Sequence, residues 1–180
     1  MEDGTRVRSY YSGFRTEKFE EQTIIDKPEP TTRLIQFDGT VSAFDKDCAD
    51  CPAQYATSKE TPSQKWEKVT KTLSQFDTTK HHYVKVPENH IVIDFDIPDE
   101  NGNKCFDLNL AEASKWPPTY AEVSKGGQGI HLHYIYTGDP TRLSRIYDDH
   151  IEAKVFTGKS SLRRKLTKFN NLPIATISSG

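Results

Sequence analysis

Two aspartates on one apolar stretch are the residues best suited to chemistry in this chain. Asp94 and Asp96 lie in IVIDFDIP, residues 91–98. Side chains at positions i and i+2 of a β-strand point to the same face, so the two carboxylates share a side, opposite Ile93 and Phe95. Adjacent carboxylates repel each other unless a cation lies between them, and hard divalent cations prefer such oxygen ligands. The pair therefore predicts a Mg²⁺ or Mn²⁺ site; the alternative is an exposed strand end.

A third carboxylate, Glu152, lies in a second strand-like stretch, HIEAKVF, residues 150–156. Glu152 and Lys154 share one face of this strand, and Ile151 and Ala153 take the other. If the two acidic strands are neighbours, Glu152 completes a platform of three carboxylates, which is typical of metal sites that catalyse phosphoryl transfer. Taken alone, Glu152 could equally be a surface acid.

A glycine-rich loop in front of a third strand supplies groups suited to binding an anion. The stretch is EVSKGGQGIHLHYIY, residues 122–136. Glycines adopt backbone conformations closed to other residues, and their N–H groups could form a concavity for phosphate. The loop residues concerned are Ser124, Lys125, Gly126, Gly127 and Gly129. The strand after the loop presents His131 and His133 on one face, and either could contact phosphate; the alternative is a flexible hairpin with histidines at a sheet surface.

The elements that must position these residues are strands alternating with helices. Alternating or continuous apolar runs predict strands at residues 90–97, 119–124, 130–136, 151–156 and 172–178. Helical spacing and capping signals predict helices at residues 61–77, 107–116 and 139–150. The first of these opens with a capping box at Thr61, Pro62 and Gln64. Residues 33–44 are predicted to form short strands around a turn at Asp38 and Gly39. This alternation predicts an α/β or α+β fold with a central sheet.

Length and composition indicate a single, rather polar domain. The chain has 180 residues, 34% hydrophobic and 28% charged, with a net charge of −2. No apolar run approaches the roughly 18 residues of a membrane span. The N-terminus lacks a secretory signal, so a cytoplasmic location is expected. Residues 1–32 are predicted to be an arm and residues 33–180 the folded domain. The chain stops on SSG after an apolar strand, which predicts a longer parent protein.

The cysteines and the basic residues each leave two interpretations open. Cys48 and Cys51 form one C-x-x-C and Cys105 stands alone, so a four-ligand zinc site would need Cys105 together with His81, His82 or His90. A turn with two free thiols is the favoured interpretation. Residues 153–180 contain six Lys or Arg and no Asp or Glu. Such a run is either a local basic patch or a solvated face.

The three motifs, in the order IVIDFDI, SKGGQGIH and HIE, resemble those of the archaeo-eukaryotic primase superfamily, particularly the primase–polymerase domains of phages and plasmids. The resemblance covers about residues 80–180. It implies an α+β, two-layer fold with a central mixed β-sheet and an RRM-like catalytic core flanked by helices. In that family an acidic triad binds catalytic Mg²⁺ or Mn²⁺, and it corresponds here to Asp94, Asp96 and Glu152.

The resemblance also implies a nucleotide-binding set. The motif histidine of the family contacts the phosphates of the incoming nucleotide and corresponds to His131, with Gly129 as the small residue. Lys125 stands where many members have arginine, so a bidentate phosphate contact is replaced by a point charge. The nucleotide-binding residues implied are Ser124, Lys125, Gly126, Gly127, Gly129, His131 and Lys154. Candidates for nucleic-acid or phosphate contacts are Lys159, Arg163, Arg164 and Lys165.

The function implied by the resemblance is template-directed nucleotidyl transfer by a DNA primase–polymerase. The substrates would be nucleoside triphosphates, NTP or dNTP, and the partner a single-stranded DNA template. A fused or separate helicase or polymerase module is expected, in the bacterial host cytoplasm if the protein is phage- or plasmid-encoded. Two other functions stay open: a noncatalytic module that binds single-stranded nucleic acid, and a metal-dependent nuclease.

Overall fold

The computed structural model describes residues 33–178, so the predicted N-terminal arm lies outside the described residues. Two single-turn 3₁₀ segments lie at Trp66–Lys68 and Leu73–Gln75, and a third at Pro140–Arg142. The helices and strands, in chain order, are α1 (Ala43–Asp47), β1 (Ala53–Tyr55), β2 (His82–Val84), β3 (His90–Phe95), α2 (Phe106–Ala113), β4 (Ala121–Val123), β5 (Ile130–Tyr136), β6 (Ile146–Asp148), β7 (Ile151–Lys154), β8 (Leu162–Arg164) and β9 (Ala175–Ile177).

The strands form two sheets. The larger sheet has the order β4-β5-β3-β7-β6 with antiparallel neighbours, and β9 pairs with β5 in parallel. The smaller sheet has the antiparallel order β1-β2-β8. Two mainly antiparallel sheets with few, short helices make an α+β fold, which confirms the predicted class at that level.

Strand β3 lies in the middle of the larger sheet and is buried on both faces. Ile93 and Phe95 belong to a core that also receives α2 and the half-buried Trp116. Val92 points the other way, into a second core with Val84 and Leu162 of the smaller sheet. Asp94 lies on the same side as Val92, because alternate residues of a strand share a face. The acidic end of β3 therefore opens toward the smaller sheet.

The strands predicted from the acidic and glycine-rich stretches are confirmed, together with the helix at residues 107–116. The predicted helix corresponds to α2, and Pro117 and Pro118 follow its end. Strands β4 and β5 form the expected hairpin around the glycine loop. The strands were predictable because an alternation of apolar and polar residues favours a strand independently of the rest of the chain.

The helix predicted at residues 61–77 is wrong. The segment contains only the two 3₁₀ turns, and the capping box that forms is Thr72 with Gln75, not Thr61 with Gln64. Its backbone pairs with a distant segment instead: the Leu73 N–H donates to Cys51 O at 2.9 Å, and the Ala53 N–H donates to Lys71 O at 3.1 Å. Tertiary hydrogen bonds thus override a helical apolar pattern.

The helix predicted at residues 139–150 is also wrong. Asp139 does cap a turn, since its carboxylate accepts from the Thr141 N–H at 3.0 Å, but the turn ends at Arg142. The chain then continues as β6, which pairs with β7, so its backbone groups bond across strands rather than along a helix.

The strands predicted within residues 33–44 are absent from the described structure. Residues 33–41 are irregular, and α1 begins at Ala43 with Ser42 as its cap. Gly39 lies against another segment: a Cβ there would stand 2.5 Å from Asn170 O, which leaves no room for a side chain. Among the described residues no helix is long and apolar enough to span a membrane.

Candidate active-site cleft

Four ionisable residues line up across four neighbouring strands of the larger sheet. The strand register places Asp94 of β3 opposite His131 of β5 on one side and Glu152 of β7 on the other. Glu122 of β4 is in turn opposite His131. Residues directly opposite each other in antiparallel strands have Cβ atoms about 5 Å apart. The two predicted acidic strands are therefore neighbours, as the sequence analysis required for a shared site.

Asp94 lies between His131 and Glu152 in this row, and two basic side chains contact its carboxylate. Its side chain is 6% exposed; Oδ2 lies 3.1 Å from Lys154 Nζ, and Oδ1 lies 3.2 Å from His131 Nε2. Burial by itself would raise the pKa of Asp94, but His131 and Lys154 outweigh burial and lower the pKa to about 2. Asp94 is consequently a carboxylate near neutral pH.

Each of the three predicted metal-binding carboxylates has its own cationic partner. Asp96 Oδ1 lies 3.2 Å from Lys104 Nζ, and Glu152 Oε2 accepts from Arg145 Nη2 at 2.7 Å. The carboxylates occupy neighbouring positions, yet Glu152 turns toward Arg145 at the surface. Among the described residues no three or more His, Cys, Asp or Glu side chains converge closely enough to hold a metal ion in the observed conformation.

A cleft of about 470 Å³ opens beside Asp94. Six Lys or Arg side chains line it against three Asp or Glu, so it favours anions although the whole chain is weakly acidic. The predicted site residues that line it are Asp94, Asp96, Ser124, Lys125, Gly126, His131, Lys154, Arg163, Arg164 and Lys165. The predicted site residues outside its lining are Glu152, Gly127, Gly129 and Lys159.

The glycine loop forms one wall of the cleft by packing on the end of β3. Ser124 Oγ accepts from the Gly129 N–H at 2.9 Å, and Gly127 has a φ of +86°, which favours glycine. A Cβ on Gly129 would stand 3.0 Å from both Asp96 Oδ1 and Phe95 O. Gly129 therefore allows the loop to approach the acidic strand, and Gly127 provides the left-handed backbone of the turn.

Glu60, which the sequence analysis missed, binds two cationic side chains of the cleft lining. Its carboxylate oxygens each accept from Lys125 Nζ at 3.1 Å, and Arg163 Nη1 lies 3.7 Å away. The Lys125 ammonium lowers the pKa of Glu60, chiefly by hydrogen bonding. Glu60 also has a φ of +62°, unusual for a residue with a side chain. No local signal identifies this contact, because residues 60 and 125 come from separate parts of the chain.

Arg164 differs from its neighbours in the basic run because it is buried in the floor of the cleft. Its guanidinium donates to Glu122 Oε2 through Nε at 2.8 Å and lies 2.7 Å from Asp45 Oδ1 through Nη1. The same Glu122 oxygen accepts from the Tyr120 hydroxyl at 2.7 Å. Burial would raise the pKa of Glu122, but Arg164 and His133 hold it well below its usual range. Arg164 is thus committed to protein carboxylates, unlike the exposed Arg163 and Lys165.

The two histidines of β5 have different surroundings. His131 faces the cleft beside Asp94. His133 is fully buried, with Nδ1 2.9 Å from His90 Nε2 and its ring against Phe44 and Tyr120. The sequence alone left either histidine possible for a phosphate contact, and only His131 is positioned at the cleft.

The buried His90 should make folding stability sensitive to mild acid. Burial, reinforced by His133, lowers the pKa of His90 from 6.5 to about 3. Between these values the unfolded chain binds a proton that the folded chain does not, so stability is full above pH 6.5 and falls as pH falls. We expect about 2 kcal/mol of the free energy of unfolding to be lost between about pH 7 and about pH 5 through this residue.

This pH dependence can be measured by urea unfolding of wild type and His90→Asn across that range. The variant should show a shallower slope of stability against pH, whatever its absolute stability. His150→Asn, at an exposed histidine in the turn before β7, is the matched control. Equal slopes for wild type and His90→Asn would contradict the assignment of a neutral buried His90.

The candidate site combines three carboxylates, those of Asp94, Asp96 and Glu152, with a cleft rich in cationic side chains. No protein-family model matches the chain, and no curated protein matches it significantly. Oxygen ligands from Asp94, Asp96 and Glu152 are the donor set that Mg²⁺ and Mn²⁺ prefer, so the residues present fit such an ion by their chemistry.

Proposed function

We propose that the chain is the catalytic domain of a template-directed nucleotidyltransferase, a DNA primase–polymerase. The observation that carries the proposal is the position of Asp94 between His131 and Glu152, on adjacent strands, at the edge of a cation-lined cleft. This is the juxtaposition of acid, glycine-histidine and acid motifs on which the resemblance to primase–polymerase domains depends.

The topology of the larger sheet supports an RRM-like core. Strands β4, β5, β3 and β7 lie side by side and antiparallel, and α2 connects β3 to β4 on the face away from the cleft. In an RRM-type sheet the strands have the order 2-3-1-4, which these four strands follow when β3 is counted as the first. The second RRM helix has no counterpart between β5 and β7, where a 3₁₀ turn and β6 lie instead.

In this proposal some cleft residues would bind the metal ion and others the phosphates. Asp94, Asp96 and Glu152 would hold Mg²⁺ or Mn²⁺, which would activate a 3′-hydroxyl and offset charge on the α-phosphate. His131 and Lys154, both in contact with Asp94, are within the cleft where they can donate to phosphate oxygens. Lys125 and the glycine loop would hold the rest of the triphosphate, and Arg163 and Lys165 at the rim would contact phosphates of the nucleotide or template.

A second candidate function is a noncatalytic module that binds single-stranded nucleic acid. It is favoured by one observation, that Asp94, Asp96 and Glu152 are each already neutralised by a basic side chain. Such a module would bind through cations and aromatic side chains without divalent metal, and binding would weaken with salt.

The experiment that tests the proposal is incorporation of labelled nucleotides on single-stranded template, with and without a primer, in Mn²⁺ or Mg²⁺. The proposal predicts template-dependent products that disappear with EDTA. Salt-sensitive template binding that survives EDTA, with no product, would support the noncatalytic module. Degradation of the template without added nucleotides would instead indicate a nuclease. A cytoplasmic location and a helicase or polymerase partner are part of the same proposal.

Removing the charge of Glu60 should strengthen binding of polyphosphate at the rim. Its carboxylate competes for Lys125 and Arg163, so Glu60→Gln is expected to bind inorganic tripolyphosphate about three- to tenfold more tightly, less so at high salt. Isothermal titration calorimetry measures the change. Glu67→Gln, an exposed glutamate in the Trp66–Lys68 turn, controls for net charge. Equal gains in both variants would exclude a local role for Glu60.

A further inference from the structure

Cys48 and Cys51 form a dithiol whose backbone is already arranged for ring closure. Cys48 ends α1, and the Cys51 N–H donates to Cys48 O at 3.0 Å, which closes a four-residue turn. Such a turn brings the first and last Cα atoms within about 7 Å, and disulfides span roughly 4.4–6.8 Å between Cα atoms.

The surrounding structure fixes this turn. The Leu73 N–H donates to Cys51 O at 2.9 Å, and the Ser74 N–H donates to Ala49 O at 3.0 Å. Both bonds come from the 3₁₀ segment Leu73–Gln75, which replaces the predicted helix. The turn is therefore held at both ends by α1 and by a packed neighbouring segment, so little rearrangement is needed to join the sulfurs.

The two thiols differ in exposure and acidity. Cys48 is 5% exposed and belongs to the core between the sheets, whereas Cys51 is half-buried and reachable from solvent. The hydrogen bond from Cys48 lowers the pKa of Cys51 to about 7, against the effect of burial, while the same bond and burial raise the pKa of Cys48. An accessible acidic thiol beside a buried one of high pKa is the arrangement in which one cysteine attacks and the other resolves.

We propose that Cys48 and Cys51 are a reversible redox site, which small disulfide compounds such as oxidised glutathione convert to an intramolecular disulfide. The Cys51 thiolate attacks one sulfur of the oxidant, whose S–S bond breaks and releases one thiol. Cys48 then loses its proton and attacks Cys51 Sγ, which releases the second thiol and forms the protein S–S bond. The protein dithiol loses two electrons, and the oxidant disulfide gains two and becomes two thiols.

Helix α1 connects this turn to the ion pairs in the floor of the cleft. Asp45 lies on α1 one turn before Cys48 and is 2.7 Å from Arg164, which also binds Glu122. A shift of α1 would therefore be felt by the ion pairs beneath the cleft. The redox site itself does not depend on the function proposed for the cleft.

The test equilibrates the folded protein in buffers of graded reduced-to-oxidised glutathione ratio, traps free thiols, and analyses the peptide by mass spectrometry. The disulfide, a loss of two hydrogens in the Cys48–Cys51 peptide, should increase at least about tenfold from the most reducing to the most oxidising buffer. Cys48→Ser should instead accumulate glutathione on Cys51, and Cys51→Ser should form neither product. Cys105→Ser, which removes the remaining half-buried cysteine, should behave as wild type.

Wild-type protein provides the decisive result, so the test does not depend on the variants folding. Absence of the internal disulfide at every glutathione ratio would overturn the proposal, as would wild type that stops at glutathione on Cys51. Glutathione attached to Cys48 rather than Cys51 would contradict the assigned direction of attack.

Discussion

Replacing Asp94 by asparagine is expected to reduce metal-dependent nucleotide incorporation by about a hundredfold to a thousandfold, the loss seen when one charge-stabilising group is removed from an active site. Asparagine preserves the size of the side chain but removes the negative charge that Lys154 and His131 now share. If Asp94 holds the divalent ion, the effect should fall on turnover, because the ion acts mainly on the charge that develops during reaction.

A matched control makes this prediction specific. Asp149→Asn removes the same charge from an exposed position in the turn before β7 and should leave incorporation unchanged. Steady-state kinetics on primed template, with circular dichroism to verify folding, measures both variants. Incorporation by Asp94→Asn within about twofold of wild type would show that the central carboxylate of the row has no role in catalysis.

Replacing Arg164 by methionine is expected to lower the free energy of unfolding by about 3–5 kcal/mol, because it leaves the buried carboxylate of Glu122 without its main partner. Arg164 is 4% exposed and also bonds Asp45, and its guanidinium lies 4.3 Å above the centre of the Phe44 ring. Loss of this residue disconnects α1, β4 and β8. We expect a fall of about 10 °C in Tm for a domain of this size.

The neighbouring Arg163 provides the control, because it lies on the same strand but is exposed. Arg163→Met should change the free energy of unfolding by no more than about 0.5 kcal/mol in urea titrations. Glu122→Met combined with Arg164→Met should recover part of the stability lost in Arg164→Met, since no buried charge is then left unpaired. Equal unfolding free energies for the two single arginine variants would show that the buried ion pair contributes nothing to folding.

The strands that carry the candidate site were predictable because their signals are local. Alternation in residues 90–97 and 130–136 places Asp94 and His131 each on the face of its own strand opposite the apolar side chains, whatever the rest of the chain does. The register between strands is not local, and only the structure aligns Asp94 with Glu152. The three carboxylates could therefore be nominated from the sequence, but their cationic partners Lys104, Arg145 and Lys154 could not be assigned to them.

The errors arise where distant segments supply the hydrogen bonds. Residues 61–77 have helical apolar spacing, yet the Cys51 and Ala53 backbone takes the bonds that would close a helix. The buried ion pair of Glu122 could not be predicted, because its partner Arg164 is 42 residues away in the sequence. Contacts of this kind depend on how sheets pack, which no window of sequence contains.

The most direct test of the carboxylate site is a crystal of the protein soaked with Mn²⁺ and a nonhydrolysable nucleoside triphosphate, with anomalous scattering used to locate the ion. We predict Mn²⁺ ligated by Asp94 together with Asp96 or Glu152 at about 2.0–2.2 Å, with Lys154 moved from Asp94 to phosphate. A nucleotide bound in the cleft with no Mn²⁺ at these carboxylates, and with Lys154 still on Asp94, would contradict the proposed chemistry.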